Sequence, residues 1–217
     1  EKKNVLEALK KLRASAKKRN FVQSVDLVVN LKDLDFKKPE EQVDFFAVLH
    51  HPTGKSRKIC AFVGPELLED AKAVCDSAIL ADDFDKYSKD KKLAKALAAQ
   101  FDFFVAQANI MPKVAAAFGK VLGTRGKMPN PKAGCVVPPK GAALKPLYDK
   151  LQNTIKVTAK TSPVLQAFVG KESLSDSDLC DNILDILTQL ESKLPKGKHN
   201  IKNAFIKFTM SKTEKIM

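Results

Sequence analysis

The sequence predicts a two-domain protein of mixed α/β and α+β class. An α+β domain is built from both termini, and an α/β domain is inserted into it. Two observations predict this. Apolar and polar residues alternate at period two near both ends of the chain, around residues 25–31, 43–49, 155–159 and 204–210, as in antiparallel strands with one wet face. Between those stretches, short apolar runs alternate with helical segments, the order of a small parallel sheet. A chain of 217 residues is long enough for one large core or two small ones. The boundaries fall at 1–53 with 152–217 for the discontinuous domain and 54–151 for the insert.

Along the chain, Val5, Leu9, Leu12 and Ala16 share a helical face over 4–19, with Asn4 as N-cap and Glu7 three residues on. Val25, Leu27, Val29 and Leu31 form the inner face of a strand, with Asp26 and Asn30 opposite. A Pro-containing connection over 36–41 leads to a second strand carrying Val43, Phe45, Ala47 and Leu49, and HHPTGK at 50–55 marks the junction. The insert reads as a strand at 58–63, a helix at 66–75, a strand at 77–80, a helical stretch to about residue 100, a strand at 101–107 and a helix at 113–121. Beyond Leu151 come strands at 155–159 and 164–169, separated by Ser162-Pro163. A helix follows from Ser175 or Ser177, with Leu179, Ile183, Ile186, Leu187, Leu190 and Leu194 as its apolar stripe and Pro195 as its stop. A last strand sets Ala204, Ile206, Phe208 and Met210 against Phe205, Lys207 and Thr209.

The net charge of +13, with pI near 9.5, points to acidic partners, nucleic acid before anionic membrane. The charge is sorted: residues 2–19 hold eight Lys/Arg against one acid, while 172–191 hold six acids and no base. No apolar run approaches the roughly 20 residues a bilayer span needs. No signal peptide opens the chain, and Glu1 in place of Met reads as a processed start. Cys60, Cys75, Cys135 and Cys180 lie far apart without a CxxC or Cys/His cluster. They read as small buried apolar residues in a reducing, cytoplasmic setting.

The segment from Gly119 to Gly134, GKVLGTRGKMPNPKAG, holds four glycines, two prolines, one arginine and three lysines, and reads as a loop rather than a regular helix or strand. Residues 114–148 carry six Lys/Arg and no acid. Gly123, Gly126 and Gly134 would let backbone approach a phosphate, with Arg125, Lys127 and Lys132 reaching its oxygens. The alternative is a solvated connection. Gly54-Lys55-Ser56 ends like a nucleotide-binding loop, but the glycine required five positions earlier is Leu49. His50, His51 and His199 have no nucleophile or metal partner at a known spacing. No cofactor, metal site or catalytic group is expected. Lys17-Lys18-Arg19-Asn20-Phe21 stands directly before the first strand, where Phe21 packs either in the core or against a ribose or base.

Five stretches carry a resemblance to a known family. They are LGTRGKMPNPKAG (122–134), RNFVQSVDLVVNLK (19–32), FDFFVAQANIMP (101–112), FVGKESLSDSDLCDNI (168–183) and KFTM (207–210). With them the whole chain resembles the ribosomal protein L-one family, in wording most similar to archaeal members. The resemblance implies a discontinuous α+β domain of split β-α-β type with an inserted Rossmann-like three-layer α/β domain. It implies a non-enzymatic constituent of the large ribosomal subunit, monomeric when free, without membrane contact. It implies binding to the mobile stalk region of large-subunit rRNA beside other ribosomal components, a part in release of exit-site tRNA, and in some members repression of the protein's own mRNA. Carried over residue by residue, the primary RNA contacts fall on Arg19, Asn20, Phe21, Thr209, Met210 and Ser211, with Lys160 and Lys171 beside adjacent strands. Secondary contacts fall on Arg125, Lys127, Asn130 and Lys132. Thr124 stands where many members carry proline, and Ser211 where glycine usually follows the Thr-Met pair. From the residues alone, the alternatives are a general RNA-binding or chaperone protein, or an enzyme acting on RNA or a nucleotide through the insert.

Overall fold

The computed structural model describes residues 2–38, 41–139 and 143–217. The chain divides into two compact units, one of residues 1–55 with 153–217 and one of 56–152. Part of the connection expected over 36–41 (Pro39 and Glu40) lies outside the described residues.

In the first unit, helix α1 (Lys2–Ser15) buries Val5, Ala8, Leu9 and Leu12, the face its spacing predicts. It starts before Asn4, which is therefore a residue of the first turn and not the cap, and it ends before the basic run 17–19. Strand β1 (Ser24–Leu31) buries every second residue, and β2 (Val43–Val48) follows. After the second unit the chain returns as β7 (Thr154–Ala159), β8 (Val164–Lys171), helix α7 (Asp176–Lys193), β9 (Ile201–Phe208) and the two-residue β10 (Glu214–Lys215). One sheet has the order β10-β9-β1-β8, with β8 and β9 both antiparallel to β1. The β8–α7–β9 crossover thus straddles β1, the split β-α-β arrangement. The turn at Ser162-Pro163 does not make a hairpin, because β7 pairs with β2 in a separate two-stranded sheet. Thr209 and Met210 lie beyond the end of β9, and β10, which alternation did not predict, follows them. Buried residues of α1 and α7 join those of all the longer strands in one core.

Ser175 caps α7, its Oγ accepting the Asp178 N–H at 3.2 Å. Arg13 of α1 ties down the segment before that cap. Its Nε lies 2.6 Å from Asp176, and its terminal nitrogens donate to the carbonyls of Glu172 (2.9 Å) and Leu174 (2.7 Å). On the other side of α7's first turns, Asn182 exchanges hydrogen bonds with the backbone of His51. His50 hydrogen-bonds Asp185 through its ring Nδ1, which raises its pKa above the ordinary 6.5, chiefly by that bond and then by the carboxylate's charge. A raised folded-state value means that the stabilisation is complete below the unfolded pKa and fades as pH climbs through the folded one. NMR titration should find the His50 ring titrating above 6.5 in the native chain and returning toward it in Asp185→Asn; equal values in the two proteins would remove this anchor.

The second unit is a parallel sheet of order β4-β3-β5-β6, formed by β3 (Ile59–Val63), β4 (Ser77–Leu80), β5 (Phe103–Gln107) and β6 (Val136–Val137). Helix α2 (Leu68–Val74) joins β3 to β4, while α3 (Phe84–Lys89) and α4 (Lys91–Gln100) lead from β4 to β5. The helical stretch before residue 100 is broken at Asp90, whose carboxylate accepts the Lys92 N–H at 2.8 Å and starts α4 afresh. The crossovers β3 to β4 and β4 to β5 run in opposite directions along the sheet, and with the same right hand they put their helices on opposite faces. One face carries α3, α4 and α5 (Met111–Thr124); α2 packs with α6 (Leu144–Gln152). Neither α6 nor β6 was legible beforehand. Phe62 is fully buried at the centre of this core, with ring centroids of Phe84, Phe104 and Phe118 at 5.5, 5.5 and 4.8 Å.

All four cysteines are free thiols. Burial pushes Cys60 up to about 12 and Cys75 and Cys135 to about 11, so these are protonated packing residues. The crevice where a Rossmann sheet would take a ligand, beyond the carboxyl ends of β3 and β5, is filled by a side chain. Gln107 is fully buried there, its Oε1 accepting the Gly64 N–H at 2.6 Å and its Nε2 donating to the Pro139 carbonyl at 3.3 Å.

Candidate nucleic-acid interface

Antiparallel pairing brings three strand ends to one edge of the first unit: the start of β1, the end of β8 and the end of β9. Ser24 pairs with Lys171 across one ladder, and Val25 with Phe208 across the other. Residues 17–23 lead into this edge and residues 209–212 leave it, so segments nearly 190 positions apart in sequence meet there. Arg19 and Asn20 are exposed, and the apolar side chains Phe21, Val22 and Met210 are 52, 58 and 60% exposed. Of the two readings of Phe21, the structure therefore excludes the core. Large apolar groups left in water together are the observation to explain here, since isolated ones are common on any surface.

They are held by a hydrogen-bond frame built on one buried glutamine. Gln23 is 2% exposed; its Oε1 accepts the Met210 N–H at 3.2 Å, and its backbone carbonyl accepts the Glu172 N–H at 2.9 Å. Thr209 closes the seam with Ser24 from both sides, donating its N–H to the Ser24 carbonyl at 3.1 Å and accepting the Ser24 N–H on Oγ1 at 3.0 Å. A hydroxyl has one donor and two lone pairs. One lone pair is thus used internally, leaving the O–H and one lone pair for a ligand such as a ribose 2′-hydroxyl. Ser211 folds back on its own turn, Oγ accepting the Phe208 N–H at 2.9 Å and donating to the Lys212 carbonyl at 2.8 Å. Its backbone is not in the left-handed region, so serine at this position carries no strain, and its hydroxyl closes the turn. Gln23 and Glu172 were not anticipated. Neither residue type in an amphipathic stretch signals a role that depends on a partner at the far end of the chain.

Lys171 ends β8 at this edge, its N–H bonded to the Thr53 carbonyl at 3.1 Å, and its ammonium meets no carboxylate among the described residues. A shallow groove of about 440 Å³ runs between 18–22 and 172–173. Lys160 does not belong with these residues. It follows β7, beside Pro163 and Leu31 at the opposite end of β1, some ~23 Å away at ~3.3 Å per residue. It also pairs with Asp44 at 2.6 Å.

The glycine-rich segment of the second unit is built differently from the sequence expectation. Helix α5 runs through Gly119 and Gly123 to Thr124, so the loop begins only at Arg125. Gly126 sits at φ +62°, its N–H bonded to the Gly123 carbonyl at 3.0 Å and the Lys127 N–H to the Leu122 carbonyl at 2.9 Å. This is the Schellman closure that favours glycine just past a helix. Gly134, at φ +77°, ends the next turn in the same way. The glycines thus shape the chain, in place of the phosphate approach expected of them. Lys127 is also committed: its ammonium donates to the carbonyls of Ala98 (3.0 Å) and Phe101 (2.7 Å), at the negative end of α4. Asn130 organises the loop, its Oδ1 accepting the Lys132 N–H at 2.9 Å and its carbonyl the Ala133 and Cys135 N–H groups. Arg125 and Lys132 remain exposed. Thr124, where proline was the alternative, returns its hydroxyl to the Lys120 and Val121 carbonyls.

Cations around an exposed apolar edge, on a chain of net charge +13, define a basic α/β protein of the kind that faces a polyanion. Comparison with known proteins identifies it further. The family model of the Ribosomal protein L1p/L10e family matches residues 9–212. The chain is 42% identical over 207 residues to the large ribosomal subunit protein uL1 of Methanobrevibacter smithii, covering 95% of each chain. To the uL1 protein of Methanothermococcus thermolithotrophicus it is 40% identical over 207 residues, covering 95% of this chain and 94% of the other. To that of Pyrococcus abyssi it is 38% identical over 212 residues, covering 98 and 94%. The chain belongs to the ribosomal protein L1p/L10e family, a structural, non-enzymatic family of the large ribosomal subunit. No described helix is long and apolar enough to cross a membrane.

Proposed function

We propose that the chain grips the mobile stalk region of large-subunit rRNA through the strand-end edge of a discontinuous RNA-binding domain, 1–53 with 152–217. The inserted domain, 54–151, adds secondary contacts through Arg125 and Lys132. The observation that carries this reading is the seam at Gln23, Ser24, Thr209 and Met210. It holds Phe21, Val22 and Met210 in water beside Arg19 and Lys171. Apolar platforms stack on bases splayed from a loop, while the cations position phosphates. A frame set before binding loses little entropy when RNA docks.

The family adds two roles to the proposal: participation in release of exit-site tRNA, and repression of the protein's own mRNA through an rRNA-like site that the same edge would recognise. The free protein is read as a monomer. The alternative from another class, an enzyme using the α/β insert, has its crevice filled by Gln107.

The test is the salt dependence of binding to a stalk rRNA fragment. With Arg19, Lys171 and a neighbouring lysine each neutralising a phosphate, log K should fall against log salt with a slope of about −2 to −3. Excess bulk tRNA should compete poorly. A flat salt response would refute the reading, and equal competition by bulk tRNA would replace it with general RNA binding.

A further inference from the structure

The second unit carries a groove of which the roles above use a single lining residue, Arg125. It lies between α4 and α5, closed at one end by α3, with a volume of about 450 Å³. Its rim holds four cations, Lys91 and Lys95 one turn apart on α4, Lys120 on α5 and Arg125 just past the end of α5. All four are exposed, and none has an ion-pair partner among the described residues. No Asp or Glu lines the groove. The nearby acids are placed otherwise: Asp90 caps α4, and Asp82 and Asp85 line an adjoining hollow with Lys113. The floor is Ala94, Ala117 and Val121, small enough to leave a trough. At its closed end stands Tyr87, its ring 5.2 Å from that of buried Phe118.

We propose that this groove binds a single strand of RNA, with phosphates along its two cationic rims and bases directed to the alanine floor and the Tyr87 ring. The charge is complementary on both sides, and side chains one helical turn apart stand about 5–6 Å from each other, close to the spacing of successive phosphates. Helices packed at ~8–10 Å between axes leave a trough for one strand and none for a duplex. A cationic groove with a π face is the arrangement that holds single strands without reading sequence. The inference rests on the proposed role in RNA binding. It moves the insert's main RNA contact from the glycine-rich loop to the helical face beside it.

The test uses the full chain and a fluorescein-labelled oligouridylate of about twelve nucleotides, read by anisotropy. The variant Lys91→Gln/Lys95→Gln/Lys120→Gln/Arg125→Gln changes only exposed side chains. It should lower affinity about tenfold or more and flatten the salt slope by about 2–3, at ~0.7 per phosphate on single strands. A charge-matched control, Lys3→Gln/Lys10→Gln/Lys202→Gln/Lys215→Gln, should change it by less than about threefold. Ultraviolet crosslinks of the bound oligonucleotide should map to Tyr87. Equal loss in both quadruple variants, loss in neither, or tighter binding of an acidic amphipathic peptide at the same four cations would overturn the proposal. The groove variant should still bind the stalk fragment. A wild-type chain that binds oligouridylate through the groove but not the stalk fragment would instead refute the proposed stalk function.

Discussion

Phe62→Ala is expected to destabilise the inserted unit by about 3–5 kcal/mol while leaving stalk-fragment binding nearly unchanged. Phe62 is fully buried on β3, stacked on Phe104 at an interplanar angle of 10°, with Phe84 edge-on at 90° and Phe118 tilted at 32°. Truncation removes the ring on which the other three converge. The cavity would open between a strand and helices that cannot collapse onto it without unstacking the rest. Hydrogen exchange localises the effect, because opening free energies differ between cooperative units. Amides of β3 and β5 should exchange roughly a hundredfold to a few thousandfold faster, while those of β1 keep their rates. Equal acceleration in β1 would show that the two units unfold together, and lost RNA affinity would place the primary grip in the insert.

Phe21→Ala should weaken stalk-fragment binding by roughly 1–3 kcal/mol, between about fivefold and 150-fold, with thermal stability unchanged. The ring is more than half exposed, so its removal leaves no cavity. Thr209→Val serves as the companion. It keeps the shape but removes the Oγ1 acceptor of the Ser24 N–H, loosening the seam that sets Phe21 and Met210 in place. Its loss should appear mainly as slower association, since the platform must reorder at each encounter. Arg125→Gln with Lys132→Gln should matter less in this assay. If those two dominate, the primary surface lies in the other unit.

Most elements were legible because they bury one face, and burial leaves a period. The stripe of α7, the inner face of β1 and the continuous apolar run of β5 all follow from that rule. Where structure departs from expectation, no period was available. β6 and β10 have two residues each, too short for alternation to be read. Helix α5 overruns its expected end at residue 121 because Gly123, which reads as a breaker, lies within it. A glycine inside a helix costs only about 1 kcal/mol, and the buried stripe Val114, Phe118 and Leu122 outweighs that.

The candidate site divides in the same way. Sequence alone determined the charge, its sorting along the chain, the residue types proposed to meet RNA and the resemblance to a ribosomal family, because these are properties of residues or of short words. Tertiary structure alone decided which of those residues are available. It set Lys171 at the strand-end edge that Phe21 leads into and left Lys160 at the end of β7 near the opposite end of β1, because strand direction determines which termini meet. It committed Lys127 to the end of α4 and Asn130 to its own turn, because a helix leaves carbonyls that need donors, and a lysine within reach supplies them. Hydrogen-bond satisfaction between distant segments is invisible in a linear string, and here it separates the cations that hold the fold from those left in solvent.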